Sequence, residues 1–172
     1  MRRRLVFLAA TACLAGQAQA LDLPAHRSGL WQMTMRLNAP KAQEFTIKRC
    51  ADHATDTLVT SVASGWAEET CTKRDLKREG ETLVIESTCK IGSAQTHAHV
   101  EIAGSFEDSY TMKVLTRRER TGAAAETREI AIEAKWLGPC ATDQKPGDII
   151  LPGGITMNVR NIRGMLGLDA AK

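Results

Sequence analysis

A chain of 172 residues with 23 lysines and arginines against 20 acids has a formal charge of +3, and Arg2, Arg3 and Arg4 open it. Beyond those three, the two signs balance at 20 each, so the basic character is an N-terminal property and gives no support to nucleic acid as a partner. No later apolar run approaches the about 20 residues that a membrane helix needs, so no transmembrane segment is expected once the N-terminus is removed.

The first twenty residues, MRRRLVFLAATACLAGQAQA, place three arginines before an apolar run and end on the small-residue site Ala18-Gln19-Ala20. This is the layout of a secretory signal peptide, expected over 1–20 and cleaved. The run is too short for a retained anchor. Leu14-Ala15-Gly16 follows Cys13 rather than leading it, which argues against lipid attachment there. Residues 21–172 then form a single secreted domain, within the about 100–200 residues usual for one domain. Periplasmic or secreted placement follows.

The exported part keeps Cys50, Cys71, Cys89 and Cys140. An even number outside the cytoplasm reads as two disulfides. Cys71 and Cys89 stand symmetrically about Gly80 in TCTKRDLKREGETLVIESTCKI, so a hairpin turning at that glycine pairs them and leaves Cys50 with Cys140. A four-thiolate zinc site is the rival, but no Cys-x-x-Cys spacing occurs.

In chain order, Trp31, Met33, Met35 and Leu37 alternate with polar residues, and Glu44 to Cys50 alternates again across a break at Asn38-Ala39-Pro40. That predicts a first hairpin. Asp52 can cap a helix from about His53 to Ala63, ended by Gly65, with an apolar stripe of Leu58, Val59 and Val62 extended by Trp66. This helix should lie across one face or one open end of the sheet.

The Cys71–Cys89 hairpin follows, with a conflict. Pairing the cysteines puts Leu83 and Ile85 on their face but also Lys73, Asp75 and Lys77, while Leu76 points away. A bulge near Gly80, or an edge position for 71–78, would reconcile the two.

Further strands are expected at 96–102, 109–118 and 129–137. Matching apolar faces pairs 89 with 98, 87 with 100 and 85 with 102, then Tyr110 with Ile102, Met112 with Val100 and Val114 with Ala98. The whole is mainly β: an antiparallel meander of about seven or eight strands, curled or barrel-like, with one short helix. Residues 141–172 read as an irregular C-terminal extension with short apolar runs that could add one edge strand.

Several segments together resemble a known family. They are Gly29-Leu30-Trp31, Lys77-Arg78-Glu79-Gly80, Ser87-Thr88-Cys89-Lys90, Tyr110 to Val114, Ala134 to Cys140, Lys145-Pro146-Gly147-Asp148 and Pro152-Gly153-Gly154. The chain is similar to the small secreted proteobacterial family of domain of unknown function 3617 (DUF3617). The resemblance implies an exported single domain with these four cysteines, and it brings no activity, substrate or catalytic residues.

For chemistry, His97, His99 and Glu101 share one strand face, as a His-x-His metal pair requires. The register above sets Lys113 opposite His99, which opposes a cation, so a solvated strand face is the simpler reading and no cofactor is expected. No Gly-x-Ser-x-Gly or phosphate loop occurs. Asp75, Glu79, Glu81 and Glu86 are ordinary hairpin charges rather than an acid–base pair. The basic run Arg117-Arg118-Glu119-Arg120, near Arg128, is diluted by Glu119, Glu126 and Glu129.

Trp31, Met33, Tyr110, Met112 and Trp136 could line a cavity for an apolar ligand, or equally fill a closed core, which aromatic content of 4% favours. The function expected is a non-catalytic binding module for an envelope protein or a small apolar ligand. The alternative is a metal-binding or hydrolytic protein using the His97/His99/Glu101 face.

Overall fold

A computed structural model describes residues 23–38, 41–57 and 70–161. Among these residues nine antiparallel strands form one sheet: β1 (Gly29–Leu37), β2 (Gln43–Ala51), β3 (Cys71–Glu79), β4 (Thr82–Ile91), β5 (Ala94–Ser105), β6 (Ser109–Arg120), β7 (Glu126–Gly138), β8 (Asp148–Ile150) and β9 (Thr156–Asn158). Their order is β3-β4-β5-β6-β7-β1-β2-β8-β9. The meander β3 to β7 is thus extended by β1, which pairs with β7 and carries β2 beside it. β3 and β9 stay as separate edges, so the sheet curls without closing into a barrel.

Among the described residues, helix is found at 53–57, at Thr70 and at 159–161. Asp52 caps the first as expected: its Oδ1 accepts the Thr55 backbone N–H at 2.7 Å, and Thr55 Oγ1 accepts the Asp52 N–H at 3.1 Å. The leader, the stripe of Leu58, Val59, Val62 and Trp66, and the last eleven residues lie outside the described residues. The C-terminal extension contributes two three-residue strands rather than one, with β8 seated on β2.

The registers correct the expected ones by two residues. Ile85 pairs with Val100, Ser87 with Ala98 and Cys89 with Thr96. Met112 pairs with Ile102, Val114 with Val100 and Tyr110 with Gly104. A two-residue slip keeps every side chain on its face, so alternation alone cannot detect it. What fixes each register is its turn: Gly92-Ser93 closes β4 onto β5 with Ile91 opposite Ala94, and residues 106–108 close β5 onto β6 with Ser105 opposite Ser109. Leu115, not Lys113, therefore lies opposite His99.

The hairpin conflict resolves at the other end from Gly80. The register shifts between Cys71 and Lys73, so Cys71 still opposes Cys89 while Leu76 opposes Ile85 and joins the apolar face. β3 is also the sheet edge, and its charges suit an edge. Disulfides join Cys71 to Cys89 and Cys50 to Cys140, the second tying β2 to the chain just beyond β7.

Candidate functional site

Alternation gives the seven long strands an inner and an outer face. The buried cluster Trp31, Ala51, Leu83, Ile102, Tyr110 and Ala134 marks the inner one. One end of that face is covered. The segment 23–28 folds over it, with Arg27 N–H donating to the Phe106 carbonyl at 2.9 Å and Trp31 Nε1–H to the Arg27 carbonyl at 2.8 Å. Helix 53–57 lies beside it and brings a carboxylate into the core.

Asp56 on that helix is the hub of a buried network. It forms an ion pair with Arg49 of β2, and their side chains are 6% and 11% exposed. Its Oδ2 accepts the His26 backbone N–H at 2.6 Å and contacts His26 Nδ1 at 2.7 Å. With Nδ1 donating to the carboxylate, Nε2 is left to accept the Tyr110 hydroxyl, 2.9 Å away. Burial alone would raise the Asp56 carboxyl, but His26 and the Arg49 charge hold it below the usual carboxylate range. Burial pushes the Tyr110 phenol up to about 12.

Carboxylate, imidazole and hydroxyl in series have the order of a nucleophile relay. Here the hydroxyl belongs to a phenol 4% exposed and stacked on Phe106 at 4.6 Å between ring centroids. A neutral phenol in that setting donates a hydrogen bond and holds its neighbours in place. The network pins the N-terminal segment and the helix to the sheet.

Two glycines let the backbone approach this end. A Cβ on Gly104, at φ +109°, would lie 2.6 Å from the Ser109 carbonyl oxygen. A Cβ on Gly29, at φ +138°, would collide with the Trp136 indole, whose Nε1–H donates to the Ser28 carbonyl at 3.2 Å.

Beyond the network the inner face continues as an apolar floor. Leu76, Ile85, Val100, Val114, Ile130 and Leu37 follow one another across β3, β4, β5, β6, β7 and β1, with Met112, Ile132 and Met35 beside them. These side chains are half-buried rather than buried.

The expected lining residues divide accordingly. Trp31 and Tyr110 sit in the network's buried core. Trp136 is capped by the Arg27 guanidinium, 3.8 Å over its ring. Met33 and Met112 are half-buried and pack against the core cluster from the floor. Open clefts among the described residues lie beside Cys89, Ala94 and Arg120 at about 550 Å³, beside Lys145, Asp148 and Arg160 at about 640 Å³, and between Gln32, Thr111 and Glu133 at about 440 Å³.

His97, His99 and Glu101 lie together on the outer face, as alternation requires, but their side chains are committed. His99 meets Glu86 at 2.6 Å and Glu101 at 3.1 Å, while His97 Nδ1 contacts Thr88 Oγ1 at 3.2 Å. The two carboxylates raise the His99 pKa, Glu101 most. Among the described residues no group of three or more His, Cys, Asp or Glu is placed to hold a metal ion. The hairpin carboxylates pair locally: Asp75 with Lys73, Glu79 with Lys77. In the basic run, Arg117 meets Glu119 at 2.9 Å and Arg128 meets Glu126 at 3.5 Å.

Sequence reasoning did not single out His26, Arg49 or Asp56. One signal was present: Phe45, Ile47 and Arg49 share strand parity, which puts a guanidinium on the apolar face, where it must be paired.

Fold and site together define a small, disulfide-stapled β domain with one apolar face, closed at one end by a polar lock. Among the described residues no helix is long and apolar enough to cross a membrane, and the disulfides suit an oxidising compartment outside the cytoplasm. The chain belongs to the family described as "Protein of unknown function (DUF3617)", whose model matches residues 26–140. No curated protein and no solved structure matches it.

Proposed function

We propose that this protein is a periplasmic binding module without catalysis of its own, and that the inner face of its sheet takes a small apolar ligand or an apolar segment of an envelope protein. The observation that supports it is the floor running from Leu76 to Leu37. A sheet with one apolar face needs something against it. Among the described residues, helix 53–57 and the segment 23–28 serve only the Trp31 and Tyr110 end. The buried phenol and the paired histidines favour a scaffold over a reaction centre.

The test is extraction of small molecules from the oxidised protein, purified from the bacterial envelope, with mass spectrometry of the extract. The reading expects an apolar compound in stoichiometric amount, absent from Val114→Glu protein of unchanged circular dichroism. Equal recovery from both proteins, or an empty extract with no apolar peptide bound, would count against it.

A further inference from the structure

Resting on that reading of the inner face, we infer that the ligand is a long-chain fatty acid, its acyl chain lying along β6 and its carboxylate held at Arg118.

The charges of the seven long strands are sorted by face. Outward positions mix signs: Lys73, Asp75, Lys77 and Glu79 on β3, then Lys113 against Glu129. Inward positions carry Arg74, Arg78, Arg118, Arg120, Arg128 and Arg49. Against these six stands one inward strand carboxylate, Glu126. Arg49 is neutralised by Asp56 at the closed end. Arg78 lies level with Met112, near the closed end, whereas the rest of the positive excess, Arg74, Arg118, Arg120 and Arg128, gathers at the opposite end, where β6 finishes.

Arg118 is the residue best placed in that excess. It lies on the same face as Met112, Val114 and Thr116, directly in line with the floor. Glu126 opposes it across β7, but that carboxylate goes to Arg128 at 3.5 Å. Among the described residues Arg118, Arg74 and Arg78 carry no ion pair. A half-buried guanidinium in this position offers a fork that matches a carboxylate with two hydrogen bonds.

The dimensions fit one chain. From Arg118 to Met112 is six residues of strand, roughly 20 Å at about 3.4 Å per residue. An acyl chain spans half of a hydrocarbon core of ~30 Å, about 15 Å. Its end then lies just past Val114, on the floor and short of Met112 and the Tyr110 lock. Arginine at one end, apolar floor in the middle and a closed wall at the other describe an anionic single-chain amphiphile. A neutral apolar ligand leaves the arginines unexplained.

Isothermal titration of the oxidised envelope-purified protein with palmitate and with hexadecanol, both delivered as monomers on cyclodextrin, tests this. One palmitate per chain is expected, weakened at least tenfold by Arg118→Glu. Hexadecanol should bind both proteins alike, and Val114→Glu should remove both ligands. Equal palmitate binding by Arg118→Glu overturns the headgroup assignment while leaving the apolar site standing. Failure of both ligands overturns that site too. Binding to anionic phosphatidylglycerol vesicles without binding of monomeric palmitate overturns the inference in favour of a membrane surface.

Discussion

Replacing Asp56 by asparagine keeps the shape of the hub and removes its charge. Arg49 is then left with its side chain 11% exposed and no anion beside it, and its Nε already lacks a hydrogen-bond partner among the described residues. Removing one member of a buried ion pair costs roughly 3–5 kcal/mol. Asparagine still accepts a hydrogen bond, so the lower end, about 3 kcal/mol, is expected, or a Tm drop of roughly 6–12 °C for a domain of this size. Urea unfolding of the oxidised protein, followed by tryptophan fluorescence, reads it directly, because the Trp31 ring lies 5.1 Å from His26.

Acid sharpens the test. The folded Asp56 carboxyl sits below its ordinary value near 3.9, so its contribution is present above that value and is lost as pH falls through the lower, folded one. The gap between wild type and Asp56→Asn should therefore narrow below about pH 3.9. Pairing Asp56→Leu with Arg49→Met should restore most of the loss, since apolar replacement of a buried pair is often neutral or stabilising. A loss below about 1 kcal/mol with an unchanged acid profile would refute the reading of this network as a lock.

Removing the disulfides should cost unequally. The separations are 90 residues for Cys50–Cys140 and 18 for Cys71–Cys89, so the first pair should be worth about 1.4 kcal/mol more in the chain-entropy model, measured by urea unfolding of the two double-serine variants. Cys71→Ser should expose only Cys89 to a thiol probe under denaturing conditions, and labelling of Cys50 would contradict the pairing. Gly104→Ala should lose about 1–3 kcal/mol through its strained φ, with further cost from contact with the Ser109 carbonyl; an unchanged Tm would contradict it. His99 should titrate by NMR above its ordinary value near 6.5, and the stability it adds over His99→Gln should be full below that value and fade as pH rises through the higher, folded one. A midpoint at or below 6.5 would remove the pairing with Glu86 and Glu101.

Much of the sheet was legible because strand alternation is a local property. Val100, Ile102, Met112 and Val114 declare their face without reference to neighbours. Register was less legible, because a slip of two residues preserves every face, and only the turns at Gly92-Ser93 and at 106–108 distinguish the alignments. The placement of β1 beside β7 is a long-range choice that no local pattern carries. The same is true of the network: His26, Arg49, Asp56 and Tyr110 come from four separate segments, and only the parity of Arg49 announced that one end of the core would be polar. The His97/His99/Glu101 face shows the converse. Its residues lie together on the outer face by alternation, while the partner Glu86 comes from the neighbouring strand, which a local pattern does not carry.

The central claim is that the inner face is where this domain binds. Methyl NMR of the oxidised protein during palmitate titration examines it most directly. Movement of the Ile85, Val100, Val114 and Ile130 resonances, with Leu115 and Leu137 on the outer face unmoved, is the predicted result. Shifts confined to Leu115 and Leu137, or no shift at all, would contradict it.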